Sequence, residues 1–274
     1  MNNFSANSDF CVLLPIYQRQ DLEEYFERVV SSCFNGDVHP VEIIVAVDGD
    51  LNESFNLKLV SLSSEFPLKV VRAGAKVGLS EVLNIGLEAV TAEYVFRVDG
   101  DDFSRKERWH NQLEALKSGF DLVGAAIQEI SLEGVPLSVR RTPLKHQEIV
   151  SRCMQRNPFN HMTTAYRTSL VKKVGGYPHL YLREDWGLWV NMIACGAKCK
   201  NFQEIMVDAT TDVAMFRRRG GIKNIMAEIS MQKSLVSNLG KNRFRAALDW
   251  TLKALILASP AFLREKFYFM FLRD

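Results

Sequence analysis

The sequence predicts an α/β domain on a mainly parallel sheet, flanked by helices and followed by a helical C-terminal extension. Three observations predict it. Short apolar runs alternate with helix-period segments through the first hundred residues in the order β-α-β-α-β-α-β, and such alternation implies parallel strands joined by crossover helices. Three of the runs end in polar clusters: Pro15-Ile16-Tyr17-Gln18-Arg19, Asp48-Gly49-Asp50 and Asp99-Gly100-Asp101-Asp102. Open parallel sheets bind ligands at their carboxyl edge, where strand order reverses, so polar residues gathered there mark a site. Finally, no G-x-G-x-x-G follows the first strand and no G-x-x-x-x-G-K-[ST] occurs, which argues against a dinucleotide fold and a P-loop enzyme.

Phe10-Cys11-Val12-Leu13-Leu14 reads as a buried first strand stopped by Pro15. Asp21 is placed to cap a helix that carries Leu22, Tyr25, Phe26, Val29 and Val30 at helical spacing. Val41 to Val47 forms the second strand, about Asn52 to Ser63 a helix, and Leu68 to Arg72 the third strand. Gly74 and Gly78 mark a turn before a helix over Leu79 to Val90, and the strand from Tyr94 follows. A helix from about Arg105 to Lys117 leads to a strand at Leu122 to Ile130, and Glu133-Gly134 reads as a hairpin turn into Val135 to Val139. Strict alternation then fails, which predicts a mixed extension of the same sheet. Two turn-rich stretches, at Asn157 to His161 and at Gly175 to Pro178, are placed to line a pocket. Residues 188 to 194 read as a buried helix, and the final third as helices from about Ile222 to Asn238 and Phe244 to Ala258.

With 274 residues the chain can bury a full core, and 47% hydrophobic with 24% charged residues is the balance of a soluble globular protein. A net charge of +2 names no polyanionic partner, and nucleic acid is not expected. Five scattered cysteines suit free thiols in a reducing compartment; Cys195 and Cys199 lack the second Cys or His pair of a zinc site. Met1 to Asp9 lacks the layout of a signal peptide, and no run of about 20 apolar residues is present. The expected location is cytoplasmic.

The stretch Tyr94 to Phe103 carries the most chemistry. A buried strand runs into three carboxylates around a glycine, where like charges repel and lose hydration. Asp and Gly also suit a solvated turn. A divalent cation is the alternative resolution, because hard cations take carboxylate oxygens.

Four pieces together resemble the family 2 glycosyltransferases, and within them the bacterial enzymes of exopolysaccharide (amylovoran-type) and O-antigen assembly. Leu14-Pro15-Ile16-Tyr17 resembles the family's opening strand and Pro-x-Tyr turn, and Val45-Ala46-Val47-Asp48-Gly49 its second-strand Val-Asp-Asp-Gly. Asp99-Gly100-Asp101-Asp102 is similar to its D-x-D motif, and Glu184-Asp185-Trp186-Gly187-Leu188-Trp189 to the Glu-Asp stretch before a buried helix. The resemblance covers roughly residues 10 to 220. It implies a GT-A fold, a nucleotide-diphosphate sugar donor, Mg²⁺ or Mn²⁺ and an inverting transfer to a saccharide acceptor. It further implies that Pro15, Tyr17 and Asp48 shape the nucleobase pocket, that Asp99 sits by the ribose and diphosphate, and that Asp101 holds the metal. Asp185 becomes the general base, with Glu184 beside it. The expected organisation is a GT-A domain over residues 1–220, with a nucleotide-binding half at about 10–103 and an acceptor half at about 104–220, then a helical extension over 221–274.

The chemistry asks for these groups independently. A departing diphosphate needs a cation to offset its developing charge. Inversion needs a base within hydrogen-bond reach of the acceptor hydroxyl. Several positions keep two readings. Asp102 assists the metal or caps the following helix. Lys76 stands where the family often has Asn, and reads as a phosphate contact or a solvated lysine. Asn84 with Gly86 fits a family helix position or is a buried amide. His161 is a third metal ligand, an acceptor contact or a structural histidine. Arg217-Arg218-Arg219-Gly220-Gly221 is a lid over the diphosphate or over an anionic acceptor, or else an exposed basic turn. Trp189 reads as core rather than a sugar platform. The C-terminus interleaves basic and aromatic residues on amphipathic helices, which suits a peripheral membrane surface and hence a lipid-linked acceptor at the inner membrane. Competing readings are a nucleotidyltransferase, which usually has a glycine-rich loop that Pro15 to Gln20 lacks, and a non-catalytic sugar-nucleotide-binding module, which needs no base.

Overall fold

A computed structural model describes residues 9–19, 22–211 and 222–258. The expected cap Asp21, the cluster at Arg217 and Arg218, and the aromatic-basic segment from Phe262 onward lie outside those residues.

The order of elements is β1 (Phe10–Ile16), α1 (Leu22–Ser32), β2 (Ile43–Val47), α2 (Glu53–Glu65), β3 (Leu68–Arg72), α3 (Leu79–Glu88) and β4 (Tyr94–Arg97). Then come β5 (Phe103–Ser104), α4 (Glu107–Lys117), β6 (Leu122–Ile130), β7 (Pro136–Arg140), α5 (His146–Cys153), β8 (Ala165–Arg167) and α6 (Thr168–Lys173). The described chain ends with α7 (Glu184–Ala194), β9 (Cys199–Thr210), α8 (Ile222–Leu239) and α9 (Arg243–Ala258). One sheet runs β3-β2-β1-β4-β8-β6-β9-β5, with β7 paired to β6. β1 to β4 are mutually parallel, as alternation predicts; β8 is antiparallel to both β4 and β6, and β9 runs parallel to β6. The sheet is therefore mixed in its second half.

Period-two alternation divides the core. Phe10, Val12, Leu14 and Ile16 of β1 join Phe26 and Val29 of α1, Phe55 of α2 and Trp109 of α4 in one layer. Cys11 and Leu13 join Val82, Leu83 and Leu87 of α3 with Tyr166, Tyr177 and Trp189 in the other. Trp189 is core, as its spacing predicts. Gly86 lets α3 approach closely, because a Cβ there would lie 2.4 Å from Leu13 Cδ1.

Two differences from the sequence reading have physical causes. β1 continues through Pro15. Val12 donates toward β2, whereas Leu13 accepts from Val98 on the β4 side, so alternation turns the Pro15 nitrogen to the β4 side. The β4 pairing stops at Leu13↔Arg97, and the missing N–H costs no ladder bond. β9 is not legible as a strand because Gln203 and Glu204 fall in a register shift between Ala125↔Phe202 and Ala126↔Ile205. The bulge breaks the alternation that would mark it.

α8 and α9 form a helical pair separated by Gly240, whose φ of +66° suits the turn. Met231 and Leu235 of α8 pack in one cluster with Trp186 and Val190 of α7 and Cys153 of α5.

Candidate active site

Strand order reverses between β1 and β4, since β1-β2-β3 run outward on one side and β4 lies on the other. The carboxyl ends of these strands carry Tyr17, Asp48 and Asp99, so the fold brings the three predicted clusters to one edge.

Tyr17, Gln18, Asp48, Gly49, Asp50, Ala75 and Lys76 line a cleft of about 180 Å³ there. Lys76 Nζ sits 5.4 Å from the centre of the Tyr17 ring, a cation–π contact at the mouth of the cleft. Asp48 is buried, and its Oδ1 accepts the Val77 N–H at 2.6 Å and the Gly78 N–H at 3.2 Å. The carboxylate thereby fixes the turn that enters α3 and forms one wall of the cleft.

The acidic turn is held at both ends. β4 ends at Arg97, and β5 begins at Phe103, pairing with Asp208 on β9. Asp102 is buried and accepts the Thr210 N–H at 2.9 Å, while Thr210 Oγ1 donates to the Asp101 carbonyl at 2.6 Å. Burial, then the neighbouring carboxylates of Asp101 and Asp99, push the Asp102 carboxyl well above its ordinary range. Asp102 therefore fastens the turn to β9. α4 starts at Glu107 without a side-chain cap, so Asp102 does not cap it.

Asp99 and Asp101 are the partly exposed members, at 30% and 27% of the side chain. Each meets an arginine that the sequence reading did not single out. Arg97 Nη2 pairs with Asp99 Oδ1 at 2.5 Å, and Arg19 Nη1 with Asp101 Oδ2 at 2.9 Å. Arg97 is only 1% exposed, and its Nε and Nη1 have no hydrogen-bond partner among the described residues. Burial opposes its charge, but Asp99 together with the Tyr177 and Tyr166 hydroxyls outweighs it and holds the guanidinium above its ordinary value. The available signal was a single arginine inside an otherwise apolar strand. Among the described residues, no group of three His, Cys, Asp or Glu side chains could hold a metal ion.

The second carboxylate pair opens α7. Asp185 Oδ2 accepts Asn157 Nδ2 at 2.5 Å and Oδ1 accepts its neighbour's N–H, from Trp186, at 2.7 Å. Glu184 is buried; burial first, and the Asp185 charge second, raise its pKa from 4.5 to about 7, with Asp99 adding to the rise and Arg97 opposing it. The Glu-Asp turn and the acidic turn after β4 therefore lie within electrostatic reach of each other. His161 packs against Tyr177 and Trp189 of the second core layer. Its Nε2 meets Tyr177 Oη at 3.1 Å, Tyr177 Oη meets Tyr166 Oη at 3.0 Å, and burial with the Arg97 charge holds the imidazole neutral, its pKa well below 6.5. Asn84 clasps the Tyr177 backbone, accepting its N–H at 2.7 Å and donating to its carbonyl at 2.9 Å.

Comparison with known proteins agrees with this architecture. Residues 11–175 match the model of the glycosyl transferase family 2. The amylovoran biosynthesis glycosyltransferase AmsE of Erwinia amylovora is 28% identical over 266 residues, covering 94% of this chain and 98% of that one. An Escherichia coli UDP-Gal:alpha-D-GlcNAc-diphosphoundecaprenol beta-1,3-galactosyltransferase is 28% identical over 225 residues, covering 81% of this chain and 82% of its own. Among solved structures, S. aureus TarS 1-349 with UDP-GlcNAc superposes with a TM-score of 0.69 at 17% identity, over 96% of this chain and 73% of that one. The mannosyltransferase PcManGT of Pyrobaculum calidifontis, in complex with GDP-Man and Mn²⁺, gives 0.60 at 16% identity, over 97% and 86%. The sheet, its switch point and the flanking helices are those of a GT-A fold. The chain belongs to the glycosyl transferase family 2, and it is a glycosyltransferase.

Proposed function

We propose that the protein transfers a sugar, with inversion, from a nucleotide-diphosphate donor to a saccharide hydroxyl in the assembly of a surface polysaccharide or O-antigen. The observation that carries the reading is a pair of carboxylate turns, one set at the switch-point edge by the end of β4 and one opening α7. One has the composition to meet a metal-bound diphosphate, and the other to take a proton.

The cleft of Tyr17, Asp48 and Lys76 receives the nucleobase: an aromatic face for stacking, bounded by a carboxylate already anchored to backbone. Pro15, one residue before the end of β1 at Ile16, leads the strand into Tyr17. Asp99, steadied by Arg97, faces the ribose and diphosphate. A Mg²⁺ or Mn²⁺ ion fits a half-site rather than a cage: Mg²⁺ commonly takes one or two carboxylates and completes its shell with substrate phosphates. Asp101, partly exposed and paired with Arg19, is the residue that would hold it. When bound, the ion supplies charge neutralisation for the leaving diphosphate. Asp185 accepts the proton of the acceptor hydroxyl, and its hydrogen bond from Asn157 fixes the orientation of that carboxylate.

The acceptor is proposed to be lipid-linked, as the name of the E. coli relative states for that enzyme. On α9, Phe244, Leu248, Leu252 and Leu255 form an exposed apolar stripe spaced four, four and three residues apart, with Arg243 and Arg245 at its start. Such a stripe suits the face of an anionic membrane. No described helix is long and apolar enough to cross one.

The reading is tested by titrating uridine and guanosine diphosphate sugars with and without Mn²⁺. One donor should bind in a metal-dependent manner, and Asp101→Ala should remove that dependence. Equal binding in the variant would overturn the metal assignment.

A further inference from the structure

The base-bearing turn is built from both sides. Asn157 fastens Asp185 from the loop after α5, while the residue just before Glu184 reaches the other way. Arg183 Nε donates to Glu228 Oε2 at 2.8 Å, and its Nη1 donates to Asn224 Oδ1. Both acceptors lie on α8, one turn apart on its buried face. Glu228 is 1% exposed and also receives Lys253 Nζ of α9 at 2.8 Å and Gln232 Nε2 at 2.7 Å. Gln232 in turn accepts Lys241 Nζ at 2.8 Å, and Lys241 donates to Asp249 of α9 at 2.6 Å. One cation from α9, Lys253, and one from the base turn, Arg183, thus converge on a single buried carboxylate, with Lys241 joined to it through Gln232.

Burial alone would favour the protonated form of Glu228. Lys253 and Arg183 outweigh it and hold the group below the ordinary carboxylate range, so it stays ionised and bonded. Lys253 Nζ also lies 4.7 Å from the centre of the Trp186 ring, and Trp186 Nε1 is fixed by the Cys153 carbonyl at 2.9 Å. Residues 183 and 186 are therefore both gripped by the helical pair, and Glu184 and Asp185 lie between them.

The backbone entering this turn is strained. Leu182, with φ +55°, is the one non-glycine residue in the left-handed region among the described residues. A leucine keeps that conformation only when its surroundings over-determine it, and such strain gathers at functional sites. Arg183 supplies the restraint next door: its N–H bonds the Leu180 carbonyl and its carbonyl accepts the Gly187 N–H, while its side chain is tied to α8.

We infer that the C-terminal helical pair is a positioning device for catalysis, in which Glu228 and Asn224 clamp Arg183 and so hold the Glu184-Asp185 turn at the acceptor. This rests on the reading of Asp185 as the base. Glu228 and Arg183 are positioning residues, because they act through the turn and not on the substrate. The clamp also gives the extension a function apart from its outward apolar stripe: contact made on α9 is tied to the base turn through Lys253.

The test compares Glu228→Gln and the milder Asn224→Ala with Asp185→Asn in the full chain, by steady-state transfer and by amide hydrogen exchange. Asn224→Ala keeps every charge pair, so it remains informative if Glu228→Gln fails to fold. We expect kcat to fall at least about 10-fold in Glu228→Gln and about 3-fold or more in Asn224→Ala, with donor KM within about twofold, as for lost orientation of a reacting group. Exchange at residues 184–188 should quicken in both. In the Asp185→Asn background, adding Glu228→Gln should change kcat by less than about twofold, since its effect passes through the base. A purely structural contact would lower the folded fraction and leave kcat per folded molecule and the double-mutant difference unmoved, which overturns the clamp. Unchanged exchange overturns it as well. Retained turnover in Asp185→Asn alone would instead sink the base reading, visible without either clamp variant.

Discussion

Glu184 offers a quantitative test of the site's electrostatics. Its pKa of about 7, against 4.5 in the unfolded chain, arises from burial first and the adjacent Asp185 charge second. The folded protein binds this proton more tightly than the unfolded chain. The group's stabilising contribution is therefore complete below about pH 4.5 and is lost as pH rises through 7. At about 1.4 kcal/mol per pKa unit, the loss is on the order of 3 kcal/mol. Glu184→Gln keeps the shape and cannot ionise, so that loss disappears. Urea unfolding of both proteins at intervals from pH 4.5 to 8 measures it. The variant's stability, less that of the wild type, should rise by about 3 kcal/mol across the window, most steeply between about pH 5 and 6.5. Parallel curves would refute the argument, showing that Glu184 titrates normally and does not feel Asp185.

Other outcomes follow from the same geometry. Asp102→Ala should cost about 1–3 kcal/mol in urea unfolding, because the Thr210 N–H loses its acceptor in a buried site, whereas Asp102→Asn should cost less than half as much. Arg97→Met should destabilise the fold by about 1–3 kcal/mol, since the partly exposed Asp99 loses a charge-assisted hydrogen bond but keeps contact with water, and no change would mean that the pair is already solvated. Gly86→Ala should cost about 1–3 kcal/mol through the clash with Leu13, readable as a lower thermal midpoint. Replacing Leu248 and Leu252 by Ser should weaken binding to anionic vesicles while leaving circular dichroism unchanged; undiminished vesicle binding would reject the membrane face on α9.

Much of the first half was legible because its rules are local. β3 and β6 have the bounds the apolar runs predict, and Asn52 caps α2 through the Phe55 N–H at 2.7 Å. The gathering of Tyr17, Asp48 and Asp99 at one edge follows from strand alternation alone. What stayed hidden depends on contacts between distant residues. Arg19 and Arg97 read as ordinary charges until the fold sets them against Asp101 and Asp99. Asp102 fastens to Thr210, which is 108 residues away in the chain. The clamp on Arg183 needs three elements to meet, although the spacing Asn224, Glu228, Gln232 already aligns three polar residues on one helix face. The helix bearing Asp185 starts four residues earlier than its apolar run, because the two acids form its first turn.

The most direct measurement of the central claim is the transfer rate and donor affinity of Asp185→Asn under single-turnover conditions. The account predicts donor affinity unchanged and transfer slowed by at least about 100-fold, the scale of a lost general base. Transfer at the wild-type rate in a folded, donor-binding variant would contradict it.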